Sequence, residues 1–136
     1  MNTQLLKTIL RASALTACLC AFSLSQVETL TAADYVAMEL EARQITLDGV
    51  RDRLALLQAN AGLDTQLAGD SDTQQQVDDV FQQYGMTLSS ALAWATQHRQ
   101  AIDDYLAQHP AQQAEYDRIA RELETVSTQI QALVNQ

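Results

Sequence analysis

Residues 110–134 read PAQQAEYDRIARELETVSTQIQALV and carry the clearest helical pattern of the chain. Pro110 suits the first position of a helix, because its missing N–H would have no partner within the helix there. Apolar side chains then recur three and four residues apart, which places them on one face of an α-helix. They are Tyr116, Ile119, Leu123, Val126, Ile130 and Leu133. We therefore predict a helix of about 25 residues, or about 38 Å at 1.5 Å per residue.

An earlier helix has a marked start. The tetrad Thr31-Ala32-Ala33-Asp34 is an acidic variant of the capping box, and Leu30 and Tyr35 are placed to form a hydrophobic staple across it. A 4-and-3 apolar pattern follows, and it keeps its phase through Gly49 although glycine costs about 1 kcal/mol in a helix interior. We predict one helix as far as about Asn60, with Gly62 as its stop. Its apolar positions are Val36, Leu40, Leu47, Val50, Leu54 and Leu57.

The middle of the chain is more broken. Residues 63–72, LDTQLAGDSD, are polar, and we expect them to be the least ordered segment. A short helix is predicted over residues 74–84, ended by Gly85 in the left-handed conformation. Thr87 can cap the next helix, which ends near Gln108 because a residue that precedes a proline is pushed out of helical geometry.

These elements predict an all-α fold: an antiparallel bundle of three long amphipathic helices and one short helix. Short connections between helices favour antiparallel neighbours. The bundle would form a single domain over residues 26–136. The narrow apolar face over residues 116–133 suits either a wall of this bundle or the surface of a coiled-coil homodimer.

Residues 1–25 have the order of a bacterial secretory signal. Lys7 and Arg11 precede an uncharged run, and small residues follow at positions that fit cleavage. The uncharged run is shorter than the ~20 residues that span a bilayer. A second route is open, because Leu15-Thr16-Ala17-Cys18 resembles the bacterial lipobox, in which the cysteine is lipidated. We expect a location in the periplasm or cell envelope, at the inner or outer membrane if Cys18 carries lipid.

Charge excludes some partners. Beyond residue 25 stand seventeen acidic and six basic residues, a net charge of −11. Nucleic acids and anionic lipids are bound by clustered Lys and Arg, so we expect no nucleic-acid partner and no membrane contact except through the signal segment or a lipid anchor. The cysteines, Cys18 and Cys20, both lie before residue 26, so no disulfide is expected within the helical domain.

Catalytic and metal-binding motifs are not apparent. Serines lie outside Gly-x-Ser-x-Gly turns, and His-Glu-x-x-His is absent from the sequence. The run from Asp70 opens like a calcium loop, but Gln75 replaces the required glycine and Phe81 the terminal glutamate. We predict no catalytic, cofactor or metal site.

The leading prediction is therefore an exported, non-catalytic helical interaction or structural module. Its partner is unspecified, and a groove, if present, would be lined by Phe81, Tyr84, Trp94 and Tyr105; the alternative is that these four belong to the ordinary core. Two other functions stay open. One is a small periplasmic enzyme or enzyme inhibitor that uses His98 or His109 with Asp103 or Glu115, and the other is a metal-responsive envelope protein with scattered carboxylates.

Overall fold

The computed structural model describes residues 29–135, and these residues form five packed α-helices without a strand. The helices are α1 (Ala32–Gln58), α2 (Leu63–Gln83), α3 (Leu88–Gln97), α4 (Arg99–Gln108) and α5 (Pro110–Val134). The predicted all-α class is confirmed. The signal segment and Cys18 lie outside the described residues. Within residues 29–135, no helix has the length and apolar character needed to cross a membrane.

The start of α1 is as predicted. The backbone N–H of Asp34 donates to Thr31 Oγ1 at 3.2 Å, and the backbone N–H of Thr31 donates to the Asp34 carboxylate at 3.0 Å. Hydrogen bonds from Thr31 hold the pKa of Asp34 below its ordinary value. Leu30 packs against the core cluster that contains Tyr35, as a hydrophobic staple requires.

The end of α1 differs slightly from the prediction. The helix stops at Gln58, and Asn60 takes the left-handed conformation with a φ of 52°. Gly62, expected to stop α1, has a φ of −62° and precedes α2 as its N-terminal cap residue. Asparagine is the non-glycine residue that most readily adopts the left-handed region, so it can end a helix without a glycine.

The predicted helix start near Gln74 was wrong, because residues 63–72, the segment with the weakest signs of order in the sequence, form the first part of α2, which begins at Leu63. This polar segment lies against the second half of α1: Gly69 faces Leu56, and Asp70 forms an ion pair with Arg53. Asp64 stands in the first turn, where a negative charge stabilises the helix dipole. Tertiary packing has thus overridden a weak local helix propensity.

The helix predicted over residues 88–108 is divided at His98 into α3 and α4. His98 leaves helical geometry with φ −113° and ψ 20°, and its backbone N–H donates to the carbonyl of Trp94. The structure therefore has three long and two short helices, and not the predicted three long and one short. The predicted third long helix is the two short helices α3 and α4, and the predicted short helix is part of the long α2.

The long helices are not all antiparallel. α2 runs antiparallel to α1, since Arg53 pairs with Asp70 while Gly49 faces the later Thr73. α5 runs in the same direction as α1, so the antiparallel prediction fails for this pair. Three contacts join α5 and α1 in the same order along both helices: Tyr116 with Glu39, Arg118 with Gln44, and Glu122 with Arg51. The physical reason is that α3 and α4 stay at the N-terminal end of α1, where Trp94 stacks on Tyr35, so α5 starts beside the first half of α1.

The core has two parts around the central α1. One is a cluster shared by α1, α2 and α3, made of Tyr35, Met38, Ala42, Val80, Phe81 and Ala91. The other buried residues, Val36, Leu47, Ile119 and Val126, belong to α1 and α5. Because Ile119 and Val126 are buried within the single chain, the apolar face of α5 serves as a wall of the bundle.

Candidate binding groove between α1 and α2

An open groove of about 480 Å³ lies between α1 and α2. This volume falls in the range of small-molecule and cofactor sites, about 300–1,000 Å³. Leu88 at the start of α3 stands at one end of the groove. The α1 residues that line it are Glu39, Ala42, Arg43, Thr46, Gly49, Val50 and Arg53, and those of α2 are Asp70, Thr73, Gln74, Val77 and Phe81.

Helical spacing explains why these residues share the groove. Along α1 the lining contains Glu39, Arg43, Thr46, Val50 and Arg53, which are four, three, four and three residues apart. Along α2 it contains Asp70, Gln74, Val77 and Phe81 at the same alternating spacing. Such spacing keeps side chains on one helix face. Because the lining faces of α1 and α2 point to the same side of the helix pair, a third helix could pack between them there.

The helices touch at Gly49 and Thr73. A Cβ atom on Gly49 would lie 2.3 Å from Thr73 Oγ1 and 2.4 Å from Thr73 Cγ2, so only a glycine fits. Gly49 also lines a smaller cavity of about 150 Å³, together with Asp52 and Leu56. This contact accounts for a glycine in the interior of α1.

A polar network stands at the α3 end of the groove, where α1 meets α5. Arg43 Nε and Nη2 donate to Glu39 Oε1 at 2.9 and 2.7 Å, and Tyr116 Oη donates to Glu39 Oε2 at 3.0 Å. The Arg43 guanidinium also lies 5.2 Å from the centre of the Tyr116 ring. Glu39 thus accepts hydrogen bonds from α1 and from α5, and its carboxylate is paired with Arg43, which lines the groove.

Two tyrosines are kept neutral around this network. Burial, reinforced by the Glu39 charge, raises the pKa of Tyr35 to about 12, and the same causes raise the pKa of Tyr116. A neutral Tyr116 hydroxyl can only serve Glu39 as a donor. The network therefore positions side chains, and it offers no ionised phenol at neutral pH.

The opposite end of the groove is closed by Arg53 and Asp70, which form an ion pair across α1 and α2. Both side chains are more than a third exposed, so the pair adds at most about 1 kcal/mol to stability. Each arginine of the groove thus has a carboxylate partner, and the lining as a whole is neutral.

The α2 side of the groove is acidic. α2 carries five aspartates and no basic residue. Asp70 lines the groove, and Asp78 lines a neighbouring cavity with Phe81 and Leu88. The rim formed by α2 is therefore negative, although the groove floor is neutral.

Large apolar side chains are exposed at one end of the groove, on α3, and beyond its other end, on α2. Leu63 and Leu67 are 67% and 55% exposed, and they precede Asp70 at the same alternating spacing on α2. Leu88 and Leu92 of α3 are 48% and 59% exposed. Exposed apolar residues that continue an apolar groove are typical of a protein interaction surface.

Three of the four aromatic residues predicted for a partner surface come together in the structure. Phe81 is buried in the core cluster and lines the groove, and Tyr84 and Trp94 pack against the same cluster. Tyr105 lies apart on α4, where its ring stacks on His109 at a centroid distance of 3.9 Å.

The α1 residues that line the groove were not predicted from the sequence. Its signal was present as a second 4-and-3 pattern on α1, one that mixes Thr46 and Val50 with charged residues. The mixed polarity of this pattern made it less apparent than the apolar positions of α1, such as Val36 and Leu47, which are buried.

Both histidines occupy the same local structure. The Nδ1 atoms of His98 and His109 lie 2.8 and 2.7 Å from the carbonyl oxygens of Trp94 and Tyr105, each four residues earlier. Because a carbonyl oxygen only accepts, Nδ1 carries the proton in each case. Each ring also stacks on the aromatic ring four residues before it, at 4.1 Å on Trp94 and 3.9 Å on Tyr105. These contacts fix the rings at the ends of α3 and α4.

The carboxylates considered as partners of the histidines are placed elsewhere. Asp103 lines a cavity with Glu39 and Arg99. Glu115 accepts hydrogen bonds from Arg118 at 3.0 and 2.6 Å, which hold the pKa of Glu115 below its ordinary value. Among residues 29–135, no group of three or more His, Cys, Asp or Glu side chains is arranged to hold a metal ion.

Comparison with protein-family models, curated proteins and solved structures finds no match to this chain.

Proposed function

We propose that this chain is an exported bacterial envelope protein whose helical part binds a partner protein, without catalysis, through the groove between α1 and α2. The observation that carries this proposal is the pair of 4-and-3 side-chain patterns that face the same open groove. Grooves between paired helices bind amphipathic helices by burying apolar side chains at this spacing. The exposed leucines at one end of the groove and beyond the other would lengthen the contact.

Export is the second part of the proposal and is supported by the sequence of residues 1–25 alone. A basic start, an uncharged run and small residues favour secretion into the periplasm. If Cys18 is lipidated instead, the helical domain is tethered to a membrane by the segment that precedes α1. No cofactor is required by either version.

Intact mass and cell fractionation test the export proposal. A mass that begins at Leu24 or Gln26 in the soluble periplasmic fraction supports cleavage. A mass that begins at Cys18 with added acyl chains, in the membrane fraction, supports lipidation. A full-length protein in the cytoplasm contradicts export in both forms.

Site-specific photocrosslinking in cells tests the groove. A photoreactive residue at Gln74, which lines the groove, is compared with one at Gln75, which is exposed and turned about 100° around α2. We expect a discrete adduct from position 74 and none from position 75. Equal adducts from both positions, or none from either, contradict a binding groove.

A second copy of this chain is the alternative partner. Because the inner side of α5 is buried within one chain, a homodimer through residues 116–133 would use the exposed flank of that helix. A photoreactive residue at exposed Thr125 tests this arrangement. An adduct of twice the protein mass from Thr125, and none from Gln74, favours the homodimer over the groove.

A further inference from the structure

We infer that the groove between α1 and α2 binds a basic amphipathic helix of about four turns from a partner protein. This inference rests on the proposed function, and it adds the chemistry and the length of the occupant. Three observations support it: the open length of the α1 face, the apolar floor, and the one-signed charge of the rim.

The length of the bound helix follows from the length of the groove face on α1. The first turns of α1, around Tyr35, are covered by α3 and α4, whose residues Trp94, Ala95 and Ile102 pack against the core cluster. The groove lining runs along this side of α1 from Glu39 to Arg53, where the ion pair with Asp70 closes it. The rise from Glu39 to Arg53 is about 21 Å, or about four helical turns. An occupant helix would thus extend the layer that α3 and α4 begin.

The floor defines the inner face of the occupant. Ala42, Val50, Val77 and Phe81 are apolar, and Thr46 lies among them. Arg43 and Arg53 already have carboxylate partners in Glu39 and Asp70, so no uncompensated charge faces the floor. The occupant therefore needs apolar side chains three and four residues apart on the face that enters the groove.

The charge of the groove rim determines which side chains suit the flanks of the bound helix. All charged side chains of α2 are aspartates. Asp70, which pairs with Arg53, lines the groove, and Asp78 lines the neighbouring cavity beside Phe81. Lys or Arg residues beside the apolar face of the occupant would meet this rim. A helix with acidic flanks would be repelled by α2 and by the net charge of −11 beyond residue 25.

The test uses designed peptides and the helical domain within the full mature chain. The probe is an 18-residue peptide with leucines at the 4-and-3 spacing and lysines on both flanks. One control replaces each lysine with glutamate, and another scrambles the same composition. We expect the lysine peptide to bind with a Kd at least about tenfold lower than either control, as measured by fluorescence anisotropy. Raising the salt from about 0.05 to about 0.5 M should weaken its binding, because exposed charge pairs are screened.

A matched pair of variants places the binding site. Gln74→Arg puts a bulky cation at the exposed edge of the groove, and Gln75→Arg adds the same charge outside it. We expect Gln74→Arg to weaken binding of the lysine peptide at least about tenfold, and Gln75→Arg to change it less than about twofold. Both positions are exposed on α2, so the two variants should fold alike, which circular dichroism checks.

The outcomes separate this inference from the proposed function. Equal binding of the lysine and glutamate peptides, or equal loss in the two variants, overturns the basic helix. If photocrosslinks form from position 74 in cells but the lysine peptide does not bind, the groove has a partner of different chemistry. If both experiments are negative, the basic helix and the groove proposal fall together.

Discussion

Thr73 of α2 fills the space that any side chain on Gly49 of α1 would need, since a Cβ on Gly49 would lie 2.3 Å from Thr73 Oγ1. Close approach at this point brings the two helices together along the groove. In an isolated helix, Gly49→Ala would gain about 1 kcal/mol. In the protein, we expect it to lower the free energy of unfolding by about 1–2 kcal/mol, because α1 and α2 must separate or Thr73 must leave its rotamer. Chemical denaturation measures the change.

Gly69 is the matched control for this prediction. It also lies within a helix, but a Cβ there would meet only Leu56 Cδ1, at an ordinary 3.7 Å. Gly69→Ala should therefore raise stability by about 0.5–1 kcal/mol. Thr73→Ala should relieve part of the Gly49→Ala defect, so the double variant should lose less than the sum of the single losses. Equal effects of alanine at positions 49 and 69 would show that the helices do not touch at Gly49.

The hydroxyl of Tyr116 links α5 to α1 through Glu39. Tyr116→Phe keeps the ring beside Arg43 but removes the donor, and we expect a loss of about 1–2 kcal/mol because the bond is made to a carboxylate. Tyr105→Phe serves as the control, since it keeps the ring that stacks on His109. Similar losses for the two variants in urea denaturation would mean that the bond to Glu39 adds nothing of its own.

Tyrosine ionisation should reduce stability at high pH. An unfolded tyrosine has a pKa of 10.0, and in the folded chain burial raises the pKa of Tyr35 to about 12 and raises that of Tyr116 as well. Above pH 10 the unfolded chain therefore releases protons that the folded chain retains, and stability falls as pH rises from 10 toward 12. Below pH 10 these groups make no contribution to the pH dependence.

Two measurements check this prediction. Absorbance near 295 nm should show that Tyr35 and Tyr116 ionise at a higher pH in the folded protein than in denaturant. The double variant Tyr35→Phe/Tyr116→Phe should flatten the fall of the melting temperature between pH 10 and 12. A fall of unchanged steepness would mean that other groups cause it.

Local patterns predicted the ends of several elements correctly. The Thr31–Asp34 capping box, the left-handed Gly85 and the start of α5 at Pro110 are all found as expected. Each of these depends on residues within one turn, so the sequence nearby contains the whole cause. The apolar face of α5 was also predictable from sequence, because its three-and-four spacing continues without a break over residues 116–133.

Features that depend on distant contacts were not predictable in the same way. Residues 63–72 look polar and weakly helical, and they form a helix because α1 provides Leu56 and Arg53 as partners. The parallel direction of α5 follows from the position of α3 and α4 and not from the length of any connection. The groove itself is formed by the packing of two successive helices, which no local pattern specifies, and of the four aromatic side chains suggested as a groove lining only Phe81 lines it.

The break between α3 and α4 depends on His98, whose ring stacks on Trp94 at 4.1 Å while its Nδ1 bonds the Trp94 carbonyl. Trp94 is the single tryptophan of the chain, so its fluorescence reports on this contact. We expect His98→Ala to shift the emission of Trp94 and to lower stability by about 1 kcal/mol, since a stacked pair and a helix-end hydrogen bond are lost. His109→Ala removes the equivalent contact with Tyr105 at the end of α4, so it should leave the emission of Trp94 unchanged. If both variants shift the emission alike, the two helix ends are coupled, and His98 does not act on Trp94 by direct contact.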